Sequence, residues 1–261
     1  MKSSNVWEDL RLRIFSASFL LLVSAICIYS GDLVFTFFVL SVVGVVHWEL
    51  GKMLTPTSSQ ASWFSAFFST MPLFFFIGVN NVVSIFLLLL LNFLFQRIFF
   101  HHRKNLGAVY SSAIIVCGMV FYNVRLEFGL YYLVWLIGVV VLTDTAGYLT
   151  GRILGGPKVF PSISPNKTWS GVLGGWLAVG IFSLSFVGSV APPDLIVTFV
   201  VGSILLSLAA QLGDMFQSYL KRISQVKDSS NLIPGHGGFM DRFDGFIGAT
   251  VVLGFFFEWI I

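Results

Sequence analysis

The sequence predicts an all-α, polytopic integral membrane protein of about nine transmembrane helices with its N-terminus in the cytoplasm. Three observations carry this. Hydrophobic residues make up 56% of the 261 residues and charged residues 10%, with a mean hydropathy of +0.89, far from a soluble globular average. Apolar runs of membrane-crossing character recur at 14–29, 33–50, 63–79, 82–99, 108–122, 130–143, 172–190, 195–212 and 246–261. Alternating these nine spans from a cytoplasmic N-terminus puts fourteen of the fifteen Lys and Arg residues inside and only Arg125 outside. One missed span would reverse every later loop.

The same placement explains the formal charge of +3 by orientation, so nucleic acid is not an expected partner. The two cysteines, Cys27 and Cys117, fall inside apolar runs and read as small core residues, not as a disulfide or zinc pair.

Residues 1–128 read as a scaffold of about five helices. The basic flanks of the first run mimic a secretory signal, but Tyr29-Ser30-Gly31-Asp32 is a poor cleavage site, and a retained helix is expected. Residues 7–13 suit the interface, with Trp7 at headgroup depth. His47 and Glu49, two apart at the end of the second run, do not share a helix face and read as an interfacial cap. The phenylalanines of 67–76 and 93–100 suit helix packing and lipid contact. His101-His102-Arg103-Lys104 reads as a topology determinant near anionic lipid, because adjacent histidines without further ligands rarely hold a metal.

Residues 129–261 have a different character, with polar loops expected at 144–171 and 213–245. The sixth helix is expected to end near Asp144–Tyr148. Asp144 then opens a loop dense in phosphate-type donors, and it reads as functional ahead of a salt bridge with Arg152 or Lys158. Ser164, Asn166, Lys167 and Thr168 supply hydroxyls, an amide and an ammonium just before a helix starting at Ser170-Gly171, where free N–H groups favour an anion. Asn166-Lys167-Thr168 also matches a glycosylation sequon, which a cytoplasmic loop would not expose to the transferase.

The stretch 213–245 holds four of the twelve acidic residues and four of the fifteen Lys and Arg. With the eighth helix continuing to about Ser224, Asp214, Gln217 or Ser218, and Lys221 share one face. Pro234-Gly235-His236-Gly237-Gly238 is a turn whose backbone can approach a ligand closely. Asp241 and Asp244 are expected to open the ninth helix on one face. Complementing a helix dipole explains one acid there, but not Asp214 arriving from the preceding helix. Hard carboxylates suggest a divalent cation and the basic residues suggest phosphate, so an active site at a membrane surface is expected.

These residues carry a resemblance. Ser218-Tyr-Leu-Lys221-Arg222, then Lys227-Asp228, then Pro234-Gly-His236-Gly237-Gly238-Phe-Met-Asp241-Arg242-Phe-Asp244 resembles the signature of the phosphatidate cytidylyltransferases. Ser164-Pro-Asn166-Lys167-Thr168-Trp169 and Asp144-Thr-Ala-Gly-Tyr148 are similar to that family's other motifs, in the same order; Asn166 departs from the lysine or other polar residue expected there. Together they span over a third of the chain. The resemblance implies transfer of the cytidylyl group of CTP to phosphatidic acid, with Mg2+ and room for a second cation. It implies metal ligation by Asp214, Asp241 and Asp244, with Asp144 in support. Lys167, Lys221, Arg222, Lys227 and Arg242 would divide between the CTP and lipid phosphates. Ser164, Asn166, Ser218, Asp228, His236, Gly237 and Gly238 would complete substrate binding. The apolar runs imply a lipid-bilayer setting, the basic residues place the site on the cytoplasmic face, the chain's size with short termini suggests a bacterial inner membrane, and a homodimer is among the candidate assemblies.

A CTP-dependent lipid or polyprenol kinase would share substrates and topology but move the γ-phosphoryl group, and the long signature argues against it. A CDP-alcohol phosphotransferase would carry an Arg that Asp244-Gly245-Phe-Ile-Gly-Ala lacks. A transporter would place ionisable groups near the midplane of several spans, whereas the charges here collect at one boundary. No Walker A sequence is present.

Overall fold

A chain this apolar must satisfy its backbone hydrogen bonds within each segment. The seventh run, expected over 172–190, is helical only to Leu184 and ends in turns, but among the described residues helices cover most of each of the nine apolar runs. In the computed structural model, which describes residues 4–56, 58–76, 82–100 and 103–260, these are α1 (Ser4–Ser30), α2 (Asp32–Leu54), α3 (Ser59–Phe76), α4 (Val82–Phe99), α5 (Lys104–Asn123), α6 (Leu130–Leu154), α7 (Trp169–Leu184), α8 (Ile196–Ile223) and α9 (Asp244–Ile260). The Trp7 side chain and the His101–His102 pair, singled out above, lie outside the described residues. Among the described residues five stretches are long and apolar enough to cross a membrane: Arg11–Ser30, Leu33–Leu54, Lys104–Phe128, Leu130–Leu154 and Pro193–Ile223. Val83–Phe99, Trp169–Leu184 and Asp244–Phe256 are shorter apolar helices.

Three local expectations are corrected. The sixth helix does not end near Tyr148 but runs to Leu154, where Gly155 and Gly156 take φ of 63° and 108° and Pro157 follows. Asp144 is therefore inside the helix. The loop beyond is not irregular: β1 (Lys158–Phe160) and β2 (Ser164–Thr168) pair antiparallel, a small exception to the all-α expectation. The ninth helix starts at Asp244, while Asp241 sits on a separate 3-10 turn, Met240–Arg242. The cause is Asp241 itself, whose carboxylate is tied to the preceding loop, as described below.

The chain forms two compact bodies. The first comprises Met1–Tyr122 with Ser224–Arg242, so it takes in the glycine-rich loop that the sequence groups with the C-terminal half. Along α2, Phe35, Val39, Val43, Val46 and Leu50 are buried at helical spacing. A ladder of buried polar groups ties α2 to α5 together. The His47 ring meets Ser111 Oγ (3.0 Å), Asn92 Nδ2 donates to Ser111 Oγ (3.0 Å), Ser69 Oγ donates to Asn92 Oδ1 (3.2 Å), and Gln96 Nε2 donates to Ser69 Oγ (2.6 Å). Such bonds hold helices together where apolar surroundings supply no hydrophobic drive.

The second body comprises Asn123–Ile223 with Phe243–Ile261. Its core includes Val140 of α6, Ala210 of α8 and Ala249 of α9, with Phe246 packed against them. α7 buries Val172, Gly175, Val179 and Ser183 and exposes Leu173, Leu177, Ile181 and Leu184, an apolar outer face that suits lipid. α8 and α9 cross almost backbone to backbone. A Cβ on Gly248 would lie 2.2 Å from the Ala209 carbonyl oxygen and 2.8 Å from Gly213 Cα; one on Gly213 would lie 2.5 Å from the Asp244 carbonyl oxygen. Only glycine permits that approach.

The crossing gives a test. Gly248→Ala should destabilise the protein by about 1–3 kcal/mol, seen as a lower thermal midpoint in detergent. Gly202→Ala, in the same helix pair but with nothing within 4 Å of its Cβ, should leave the midpoint unchanged or raised. Equal effects from the two would contradict the packing described.

Candidate active site

The Gly213–Gly248 crossing sets the acidic residues of the second body. Asp214 follows Gly213 on α8, and Asp244 opens α9, where its Oδ1 accepts from the Gly245 N–H (2.8 Å). Asp144 arrives from α6: its Oδ2 lies 3.6 Å from where a Gly245 Cβ would be. Asp214, then Asp144, are the carboxylates whose charge acts on Asp244, and Lys221 is the cation that offsets them. Asp144 is exposed, while Asp214 and Asp244 are half-buried.

Lys167 completes this cluster. Thr168 caps α7, accepting from the Gly171 N–H (3.2 Å), and the Trp169 N–H donates to the Pro157 carbonyl (3.1 Å), so the hairpin is closed onto the helix start. Lys167, one residue before the cap, forms an ion pair with Asp214 Oδ2 and also reaches the Gln211 carbonyl (3.4 Å). Ser218, one turn beyond Asp214, donates to Asp214 Oδ1 (3.4 Å), as the shared helix face predicts. Three carboxylates from α6, α8 and α9 thus gather with an ammonium from β2 and another from α8. Among the remaining expected residues of this body, Ser164 is half-buried, and Asn166 and Arg222 are exposed.

The other expected residues belong to the first body. The loop from Ser224 to Phe239 carries Lys227, Asp228, His236, Gly237 and Gly238; Asp241 and Arg242 follow on the 3-10 turn. Gly235 and Gly237 take φ of 75° and 85°, conformations that side chains resist. The Ile233 N–H donates to the Gly237 carbonyl, and the His236 N–H to the Ile233 carbonyl, both at 2.9 Å. Ser16 Oγ of α1 lies 3.1 Å from His236 Nδ1, and Arg242 Nη2 donates to the His236 carbonyl (2.6 Å).

Asp241, expected as a metal ligand, lies in this body and ties the loop together through one oxygen. Its Oδ2 accepts from the Ser229 N–H (2.9 Å), the Ser229 hydroxyl (3.1 Å) and the Gly238 N–H (3.1 Å). Glu49, read from sequence as an interfacial cap, is fully buried and accepts from Ser229, Ser230, Phe239 and Met240. Its visible signal was a carboxylate inside an apolar run. Its partners, some 180 residues further along the chain, have no local signature.

Among the described residues no group of three or more His, Cys, Asp or Glu side chains is arranged to hold a metal by itself. The donor chemistry nevertheless fits Mg2+. That ion is usually held by one or two carboxylates together with substrate phosphates and water, and Asp214 and Asp244 supply such a pair beside two phosphate-type lysines.

Comparison with known proteins adds the family. The chain is similar to a phosphatidate cytidylyltransferase of Brucella suis biovar 1 (strain 1330), 46% identical over 126 residues, which are 48% of this chain and 46% of that protein. It is similar to one of Staphylococcus aureus (strain COL), 44% identical over 133 residues, 49% of each. The chain thus spans about half the length of the curated relatives it matches. The family's sequence model, in contrast, matches residues 11–260. The chain belongs to the cytidylyltransferase family.

Proposed function

We propose that this chain transfers the cytidylyl group of CTP to phosphatidic acid, giving CDP-diacylglycerol and pyrophosphate. The observation that carries the proposal is the cluster of Asp144, Asp214 and Asp244 with Lys167 and Lys221, in a chain whose relatives carry that activity in their names. In the reaction a phosphate oxygen of the lipid bonds to the α-phosphorus of CTP, the bond from that phosphorus to the bridging oxygen of the β-phosphate breaks, and pyrophosphate leaves. The lipid phosphate is already a competent nucleophile, so positioning and charge neutralisation dominate, and a strong general base is not required.

Asp214 and Asp244 would hold Mg2+, with Asp144 in support or holding a second cation. Bound there, the ion would polarise the phosphoryl oxygens and screen two anions from each other. Lys167, paired with Asp214 in the free protein, and Lys221 bind phosphate. Arg222 would add positive charge, and Ser164, Asn166 and Ser218 would supply hydrogen bonds; Lys227, His236 and Arg242 are assigned to substrate by the family resemblance of their motif alone. Asp241 holds the glycine-rich loop through its Oδ2. All nine helices would cross the bilayer from a cytoplasmic N-terminus, with the site facing the cytoplasm of a bacterial inner membrane. The fourteen-to-one distribution of basic residues and the bacterial relatives support this placement.

The direct test supplies purified protein with phosphatidate, Mg2+ and CTP labelled at the α or the γ phosphorus. Label should enter lipid from the α position. Transfer only from the γ position, to an added lipid alcohol, would identify a kinase and refute the proposal.

The site assignment is tested separately. Asp214→Asn and Asp244→Asn should each lower kcat by about 100-fold or more, on the scale of losing a main electrostatic group, without loss of the folded protein. Turnover preserved in either variant at saturating Mg2+ would remove that residue from the metal set.

A further inference from the structure

Glu49 stands in an apolar helix, yet its side chain is fully buried and, among the described residues, accepts from four donors on the glycine-rich loop and the 3-10 turn that follows it. Oε1 accepts from the Phe239 N–H (2.9 Å) and from the Ser230 hydroxyl; Oε2 accepts from the Ser229 hydroxyl (3.1 Å) and the Met240 N–H (2.5 Å). Each oxygen therefore takes one donor from each stem of the loop. We propose that Glu49 is a positioning residue for cytidylyl transfer, a clasp through which the N-terminal helices hold the loop bearing His236 and Arg242. This rests on the activity proposed above.

Three features favour a clasp over a carboxylate that merely fills a core. A buried carboxylate is costly unless hydrogen-bonded, and a core carboxylate would be satisfied within its own bundle; here the donors are 180 to 191 residues away in sequence. The loop is built on Pro234 and the glycines at 235, 237 and 238, which leave its backbone freer than most to move. Asp241 ties Ser229 to Gly238 from inside the loop, which closes the stems but gives them no fixed reference. Glu49 supplies that reference from α2. The space is tight as well: a Cβ on Gly238 would lie 1.8 Å from Ser229 Oγ. His236 and Arg242 then move with the stems, because Arg242 bonds the His236 carbonyl.

Four donors and two acceptor oxygens match a carboxylate and no amide. Glu49→Gln keeps the shape but turns one acceptor into a donor that faces a backbone N–H, which can only donate, and a hydroxyl that must reverse its own bond. In the full-length protein, with lipid, it should lower kcat/KM by about 10- to 100-fold. Hydrogen exchange at the Phe239 and Met240 amides should accelerate while α2 to α5 stay protected. Combined with His236→Ala it should cost little beyond His236→Ala alone, because both changes act through one loop. Global destabilisation would not produce that local pattern. Wild-type kcat/KM, unchanged exchange at Phe239 and Met240, or losses that multiply fully would each overturn the proposal. If Glu49→Gln fails to fold, Ser230→Ala removes a single donor and should show the same pattern with a loss of a few fold; wild-type behaviour there overturns it equally. If the unmodified protein transfers no cytidylyl group, the activity reading fails, and the exchange measurement still decides whether Glu49 holds the loop.

Discussion

A carboxylate surrounded by apolar helices has to be answered by donors or by opposite charge, and the structure meets this demand in two ways. Glu49 is answered completely: two hydroxyls and two backbone N–H groups saturate its oxygens. Asp144, Asp214 and Asp244 are grouped beside lysines instead. Lys167 pairs with Asp214, and Lys221 offsets the charge at Asp244. The saturated acid holds backbone in place. The group in which carboxylates stand beside lysines has the donor chemistry for a cation and the phosphates that accompany it.

Glycine makes the second arrangement geometrically accessible. Backbones that approach within about van der Waals contact at Gly213 and Gly248 bring the start of α9 beside the middle of α8, so residues thirty positions apart share one charge environment. On the other side, the Gly-Gly-Pro stop after Leu154 and the short hairpin return the chain to α7 with Lys167 aimed at Asp214. The polar site is therefore built from helix crossings and caps that lie inside apolar elements, and its precision comes from packing.

Much of this was legible in the sequence, for physical reasons. Apolar runs report helices because little else satisfies a backbone in hydrocarbon, and each of the nine runs overlaps a helix, although the seventh stops at Leu184, short of 190. Asp214, Ser218 and Lys221 were readable together because helical periodicity is local. What was not legible depends on distant partners. Helix six continues past Tyr148 because its stop signal is Gly155-Gly156-Pro157, not the polarity of Asp144. Asp241 leaves the ninth helix because Ser229 and Gly238 claim its oxygen. Glu49 resembled a boundary residue because its four donors follow some 180 residues later. Asp144, Asp214 and Asp244 could be nominated from residue type alone, but their proximity required the Gly213–Gly248 crossing.

The central claim is that the Asp214–Asp244 pair, set by that crossing, receives a divalent cation together with a nucleoside triphosphate. The most direct measurement uses Mn2+ as a paramagnetic substitute, following its electron spin resonance signal as it is titrated into the purified protein with CTP. The account predicts a saturable bound population in the native protein that is lost in Asp214→Asn and in Asp244→Asn, while both variants keep the native fold. Binding of equal affinity in all three proteins would contradict it.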